Sequence, residues 1–211
     1  MEAYINKDTK IYCSFAHNPG NGWCIFFNTA FKEHGINAIY KAFAIDNIAT
    51  ALQSAQYLWF SGCAIAMPFK IPAYALMQEL DETAMLCGSV NTIIFTENGM
   101  KGYNTDYLGA KKIIKKYNPW YNRIYILGNW GLAKAVQAAA IDLGLETEFI
   151  TRKDRDRVYK LRNDLIYNCT PLSLVLEESN TYIDCLVETE TGQELKLEQA
   201  KEQFKIYGYK Y

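Results

Sequence analysis

Histidine is nearly absent from this chain: His17 and His34 are the only two in 211 residues. Six cysteines stand at positions 13, 24, 63, 87, 169 and 185, none of them in a Cys-x-x-Cys step. With so few imidazoles and no paired thiols, no metal-ligand spacing can be assembled, and no metal is expected. The cysteines read instead as small buried hydrophobes. An excess of either charge is also missing, since 22 basic residues meet 23 acidic ones for a net charge of −1. That removes the electrostatic case for a nucleic-acid or anionic-membrane partner. No apolar run approaches the ~20 residues that span a bilayer. The start, Met1-Glu2-Ala3-Tyr4-Ile5-Asn6-Lys7-Asp8, lacks the regions of a signal peptide. A cytoplasmic protein is expected, with no disulfides in that reducing compartment.

What is present suits a folded α/β protein. Half the residues are hydrophobic and 21% are charged, enough for a sizeable core in one large or two small domains. Strand signals alternate with helical ones. Strands are expected at Thr9 to Phe15, Asn37 to Phe43, Phe60 to Met67, Asn91 to Thr96 and Met100 to Tyr103. Helices are expected at Trp23 to His34, Asp46 to Leu58, across most of Ile71 to Leu86, and from Asp106 to Tyr117. Glu97-Asn98-Gly99 marks a hairpin, and Asn118-Pro119-Trp120 a boundary. Beyond it, strands are expected at Arg123 to Leu127, Thr147 to Thr151, Asp164 to Asn168 and Tyr182 to Val187. Helices fall after Gly131, over Asp154 to Arg162, and over Glu194 to Tyr207. This alternation predicts mostly parallel sheets.

Two groups of residues carry candidate chemistry. Met67-Pro68-Phe69-Lys70 precedes two near-copies of an Asn-Thr step, in Gly88-Ser89-Val90-Asn91-Thr92 and Gly102-Tyr103-Asn104-Thr105-Asp106. Lys70 and Asp106 are therefore candidates for one proton-transfer pair. Taken alone they read more readily as a surface lysine and a helix N-cap. The second group is Gly128-Asn129-Trp130-Gly131, a Gly-rich turn between strand and helix where backbone N–H groups can approach a pyrophosphate. Such turns also close ordinary βα units. Thr151-Arg152-Lys153 follows about 20 residues on, where an acid would select NAD and cations suit the 2′-phosphate of NADP. The plain alternative is a solvated basic loop neutralised by Asp154 and Asp156.

In order and spacing these pieces resemble the shikimate dehydrogenase family, and more closely its shikimate/quinate dehydrogenase-like branch. The resemblance includes Pro19-Gly20-Asn21, Ile39 to Phe43, Met67 to Lys70, Gly88 to Thr92 and Asn104-Thr105-Asp106. It continues through Asn168-Cys169-Thr170-Pro171 to Gln199-Ala200-Lys201-Glu202-Gln203-Phe204. It implies an α/β substrate-binding domain over 1–107, a reduced Rossmann-like NADP-binding domain over 108–193, and a C-terminal helix, 194–211, returning to the first domain. The active site would lie in the cleft between the domains. The implied activity is NADP-dependent interconversion of 3-dehydroshikimate and shikimate, or quinate or a related hydroxy cyclic acid, as in aromatic amino acid biosynthesis. Lys70 and Asp106 would be catalytic, and Asn91, Gln199 and Asn21 would bind substrate. Gly128, Asn129, Gly131, Thr151, Arg152, Lys153, Asn168 and Thr170 would bind NADP. The implied partner is a small-molecule substrate, on a monomer or homodimer.

The chain departs from the family at several positions. Asn18-Pro19-Gly20-Asn21-Gly22 stands where two serines usually hold the substrate carboxylate, and Ala66 where a Thr or Ser hydroxyl is usual. Val187 replaces a tyrosine, and Trp130 replaces the middle glycine of the nucleotide turn. The cofactor half is several tens of residues shorter. These departures keep open a non-catalytic relative that binds a small ligand or another protein, with Trp130 closing the cofactor site.

Overall fold

The computed structural model describes residues 5–118 and 120–211. The extreme N-terminus, Met1 to Tyr4, and Pro119 of the expected boundary lie outside the described residues. The chain divides into two compact units. One runs through Thr105 and takes in Ala200–Tyr211; the other is Asp106–Gln199.

The first unit is built on β1 (Lys10–Ala16), β2 (Ala38–Ala44), β3 (Gly62–Ile65), β4 (Glu79–Leu80), β5 (Thr92–Thr96) and β6 (Gly99–Tyr103). Its helices are α1 (Gly22–Glu33), α2 (Ile48–Tyr57), α3 (Lys70–Tyr74) and α4 (Glu82–Cys87). The strands lie in the order β2-β1-β3-β5-β6-β4. β1 pairs in parallel with β2 and β3, whereas β5 runs antiparallel to both β3 and β6. Alternation along β1 sends its residues to opposite faces. Cys13 and Phe15 join Cys63, Ile65, Leu52 and Ile93 in one core. Tyr12 joins Phe27, Phe31, Tyr40, Phe204 and Tyr207 in the other.

The stretch from Ile71 to Leu86 departs from the helix expected across most of it, because β4 interrupts it between α3 and α4. The N–H groups of Gln78 and Asp81 donate to the carbonyls of Met100 and Gly102, so the open edge of β6 claims the segment. Asp81 then restarts the helix, its carboxylate accepting from the N–H and hydroxyl of Thr83.

The second unit is simpler. β7 (Arg123–Leu127), β8 (Glu146–Ile150), β9 (Leu165–Asn168) and β10 (Thr181–Asp184) form an all-parallel sheet in the order β10-β9-β7-β8. Its helices are α5 (Thr105–Tyr117), α6 (Leu132–Asp142) and α7 (Glu190–Ile206), the last of which ends in the first unit. The expected helix over Asp154 to Arg162 is a 3₁₀ segment, Arg155–Lys160. Asp154 anchors the turn before it by accepting from Thr151. Between β9 and β10 the crossover contains no helix, and Leu174 and Leu176 pack against the core that holds Tyr125, Leu127 and Ile166.

Gly62 shows how tightly the first unit is closed. A Cβ there would fall 2.8 Å from both the Ile93 carbonyl oxygen and the Tyr207 ring. Tyr207 stacks on Tyr12 with ring centroids 4.3 Å apart. Gly62→Ala is therefore expected to lower stability by ~1–3 kcal/mol, as overpacking does. Urea unfolding measures this, and an unchanged midpoint would show that the tyrosine yields freely.

Candidate functional site

Strand direction gathers the first group of candidate residues. β1 and β3 end, β5 begins and β6 ends at one edge of the first sheet, because β5 alone runs backwards among them. The loops carrying Asn21, Met67 to Lys70, Asn91 and Asn104 therefore meet there. The Ile65 N–H donates to the Asn91 carbonyl at 2.8 Å, and the Asn91 N–H to the Tyr103 carbonyl at 3.0 Å. The Val90 N–H reaches the Lys70 carbonyl at 3.0 Å, tying the start of α3 to the same loop.

Two buried amides then lock the edge. Asn91 Oδ1 accepts from the Thr105 N–H at 2.8 Å and from the Thr92 hydroxyl at 3.0 Å, while Nδ2 donates to Thr105 Oγ1 at 3.1 Å. Asn104 Nδ2 donates to both the carbonyl and the hydroxyl of Ser89 at 3.0 Å. The two Asn-Thr steps are thus partners in one brace. Asn91 keeps one Nδ2 hydrogen for a further acceptor. Asn21, by contrast, is exposed at the start of α1, beside Cys24 and Ile25. Lys70 is half-buried at the first position of α3. Ala66 offers the edge no hydroxyl.

Asp106 opens the second unit and is 5% exposed. Gln199 Nε2 donates to its Oδ1 at 3.0 Å. Gly109, one turn along α5, makes this possible: a Cβ there would lie 2.9 Å from Gln199 Cγ and 3.2 Å from Leu195 Cδ1. Only a glycine lets α7 lie this close to α5. Sequence reading missed Gly109, since a helical glycine carries no signal of what it faces.

The second group lines the C-terminal edge of the parallel sheet, at the ends of β7, β8 and β9. Gly128, at φ 96°, turns the chain out of β7, and a Cβ there would meet Thr170 Cγ2 at 3.1 Å. The N–H groups of Asn129, Trp130 and Gly131 donate to no protein acceptor among the described residues. They stand at the start of α6, where the helix dipole adds positive potential. Trp130 does not pack into this turn: its side chain lies in solvent, the residue being 81% exposed.

At the end of β8, Thr151 and Asp154 close a small loop. The N–H and hydroxyl of Thr151 donate to Asp154 Oδ1 at 2.8 and 2.9 Å. Those bonds, with Arg157 nearby, hold the Asp154 carboxyl below the usual carboxylate range. Asp154 is therefore committed to Thr151 and Arg157, and Arg152 and Lys153 are exposed without an acidic partner among the described residues. Asn168 and Thr170 are engaged with each other, the hydroxyl donating to Asn168 Oδ1 at 2.6 Å. Asn168 Nδ2 also donates to the Leu172 carbonyl and to Asp184 Oδ1. Asp184, buried and held further by Tyr182 and the Leu186 N–H, is a second residue that sequence reading passed over. Among the described residues no cluster of potential metal ligands occurs, and no helix is long and apolar enough to cross a membrane.

The profile of the shikimate dehydrogenase substrate binding domain matches residues 24–93. A shikimate dehydrogenase-like protein of Haemophilus influenzae is 38% identical over 143 residues, 67% of this chain and 53% of that protein. A solved shikimate 5-dehydrogenase-like protein superposes with a TM-score of 0.83 at 27% identity, covering 97% of this chain and 93% of that one. In profile, relatives and fold the chain is similar to the shikimate dehydrogenase family. A shikimate dehydrogenase (NADP(+)) of Pyrococcus abyssi is 34% identical over 113 residues, 53% of this chain and 43% of that protein. The chain spans about half the length of the curated relatives it matches. The shikimate dehydrogenase of Aquifex aeolicus shares the fold, with a TM-score of 0.84 at 23% identity over 99% of this chain and 96% of that one.

In this chain the Asp154 contact gives the β8 loop a pH dependence. A carboxyl whose pKa is lowered on folding stabilises above its unfolded pKa and loses that contribution as the pH falls through the folded value. Native protein is expected to exceed Asp154→Ala in stability at neutral pH, and the gap should close as the solution is acidified below the ordinary carboxylate range. Paired denaturation curves over that range measure the gap; a constant difference would count against the contact.

Proposed function

We propose that this chain is an NADP-dependent oxidoreductase that interconverts 3-dehydroshikimate and shikimate, or acts on quinate or a related hydroxylated cyclic acid. The observation that carries the reading is the donor set at the end of the parallel sheet. Three unpaired N–H groups lie at the start of α6, and Arg152 and Lys153 are left without acids at the end of β8. The first suits a diphosphate and the second a further phosphate on the ribose. Relatives support the same direction, since solved shikimate dehydrogenases include one in complex with NADP+ and one with NADP(H) and shikimate.

When bound, the cofactor supplies the hydride. This chain's residues would do the rest. Lys70 donates a proton to the oxygen of the carbonyl being reduced and takes it back in the reverse direction. Asp106, its carboxylate fixed by Gln199, shares this proton chemistry and balances the charge. The free Nδ2 hydrogen of Asn91, together with Asn21, addresses substrate hydroxyls. Gly128 leaves room for the Thr170 loop, which Asn168 holds in shape beside the turn. Closure of the site by Trp130 would require a packed indole, and this one is solvated.

Two outcomes test the reading. Calorimetric titration should give micromolar binding of NADPH and much weaker binding of NADH, with the preference narrowing in Arg152→Ala; equal affinities would remove the phosphate assignment. Lys70→Ala should lower turnover of the accepted hydroxy acid by ~10²–10⁴ at little cost in cofactor affinity, the usual range for a lost general acid. A variant with native turnover would reassign the proton donor.

A further inference from the structure

The nucleotide turn carries one side chain that the proposed reaction leaves unused. Trp130 follows directly on Asn129, in the position where the family has its middle glycine. That glycine lets the backbone come closest to a diphosphate, and a side chain there crowds the approach. Yet the turn is not closed. Trp130 is 81% exposed, and a Cβ at the adjoining Gly131 would have nothing within 4 Å. A plug would lie over the unpaired N–H groups and bury its own rings against them. This indole is not buried against them.

A large aromatic face held in water contributes little to folding, and it stands beside the donors suited to the diphosphate. Its neighbours give it no other role. Among the described residues Trp130 has no aromatic or cationic partner, and at 81% exposed it is not a core residue. At the end of β8, Arg152 and Lys153 would hold the phosphate-bearing ribose. An indole on the β7–α6 turn is then within the span of the same ligand. Indole rings contact nucleotide rings favourably through stacking and dispersion.

We propose that Trp130 is a cofactor-contacting residue whose indole packs on the bound dinucleotide, replacing by a side-chain contact the close backbone approach that glycine provides. The proposal rests on the NADP reading above. It makes the turn a binding surface with an aromatic clamp.

The test follows NADPH binding by calorimetry and by indole fluorescence, in native protein, Trp130→Phe, Trp130→Ala and Trp130→Gly. Native protein should show quenching with energy transfer to the reduced nicotinamide. Trp130→Phe should bind within a few-fold of native but lose that part of the signal. Trp130→Ala should bind roughly 10-fold more weakly, in line with the loss of one stacked ring. Native binding without a Trp130-dependent signal would overturn the clamp and leave the NADP reading intact. Tighter or unchanged binding by Trp130→Ala would overturn it as well. Binding by Trp130→Gly alone would make the indole a barrier and overturn the clamp. No binding by any of the four proteins would bring down the NADP reading, and the clamp with it.

Discussion

When strands pair in parallel, their hydrogen-bonded ladders all point the same way, so their C-terminal ends share one edge. In the second unit this holds for all four strands, and the turns after β7, β8 and β9 are neighbours for that reason alone. In the first unit the antiparallel β5 breaks the pattern usefully. Its beginning, rather than its end, lies at the edge where β3 and β6 stop. Asn91 and Asn104 thereby come to opposite sides of one loop cluster, although 12 residues and a hairpin separate them in the chain. The positions of Lys70, Asn91 and Thr105 all depend on that single reversal.

The edges are rigid because side-chain amides satisfy backbone groups that no strand can reach. Asn91 serves the Thr105 N–H, Asn104 the Ser89 carbonyl and Asn168 the Leu172 carbonyl. Asn28 does the same on the outer strand, bonding both the N–H and the carbonyl of Tyr40. Buried polar groups left unpaired are costly, and an amide can serve a donor and an acceptor at once. Much of what looks like binding chemistry in the sequence is therefore already engaged in holding loops. The exposed cations of the β8 loop, Arg152 and Lys153, are not engaged in this way.

Tyrosine has a structural part in the same design. Of the 16 tyrosines, Tyr207, Tyr209 and Tyr211 follow α7 and pack on the aromatic face of the first unit, against Tyr12, Phe31 and Phe26. Burial pushes the phenols of Tyr12 and Tyr207 up, so they stay neutral. Gln203 donates to the Tyr207 hydroxyl, and Tyr12 and Tyr209 bond through theirs. The last residues of the chain therefore complete a core begun by the first strand.

Local signals account for most of the architecture. Strand signals marked β1, β2 and β7, and Asn98-Gly99 marked the hairpin. The motifs Met67 to Lys70, Asn104 to Asp106 and Gly128 to Gly131 were equally visible, because loop chemistry is written in contiguous residues. Contacts between distant segments were not. Whether Asp154 neutralised Arg152 or braced Thr151 depended on which way a carboxylate turned. The break at β4 arose from the needs of β6, about 20 residues away in the chain. Gly62 and Gly109 mattered through Tyr207 and Gln199, residues far along the chain that only folding brings near. The sequence by itself determined the fold class, the order of the elements and the residue types offered to the site. Tertiary structure alone decided which of those polar groups were spent on the fold and which stayed free, because hydrogen-bond partners are settled by position in space and not by distance along the chain.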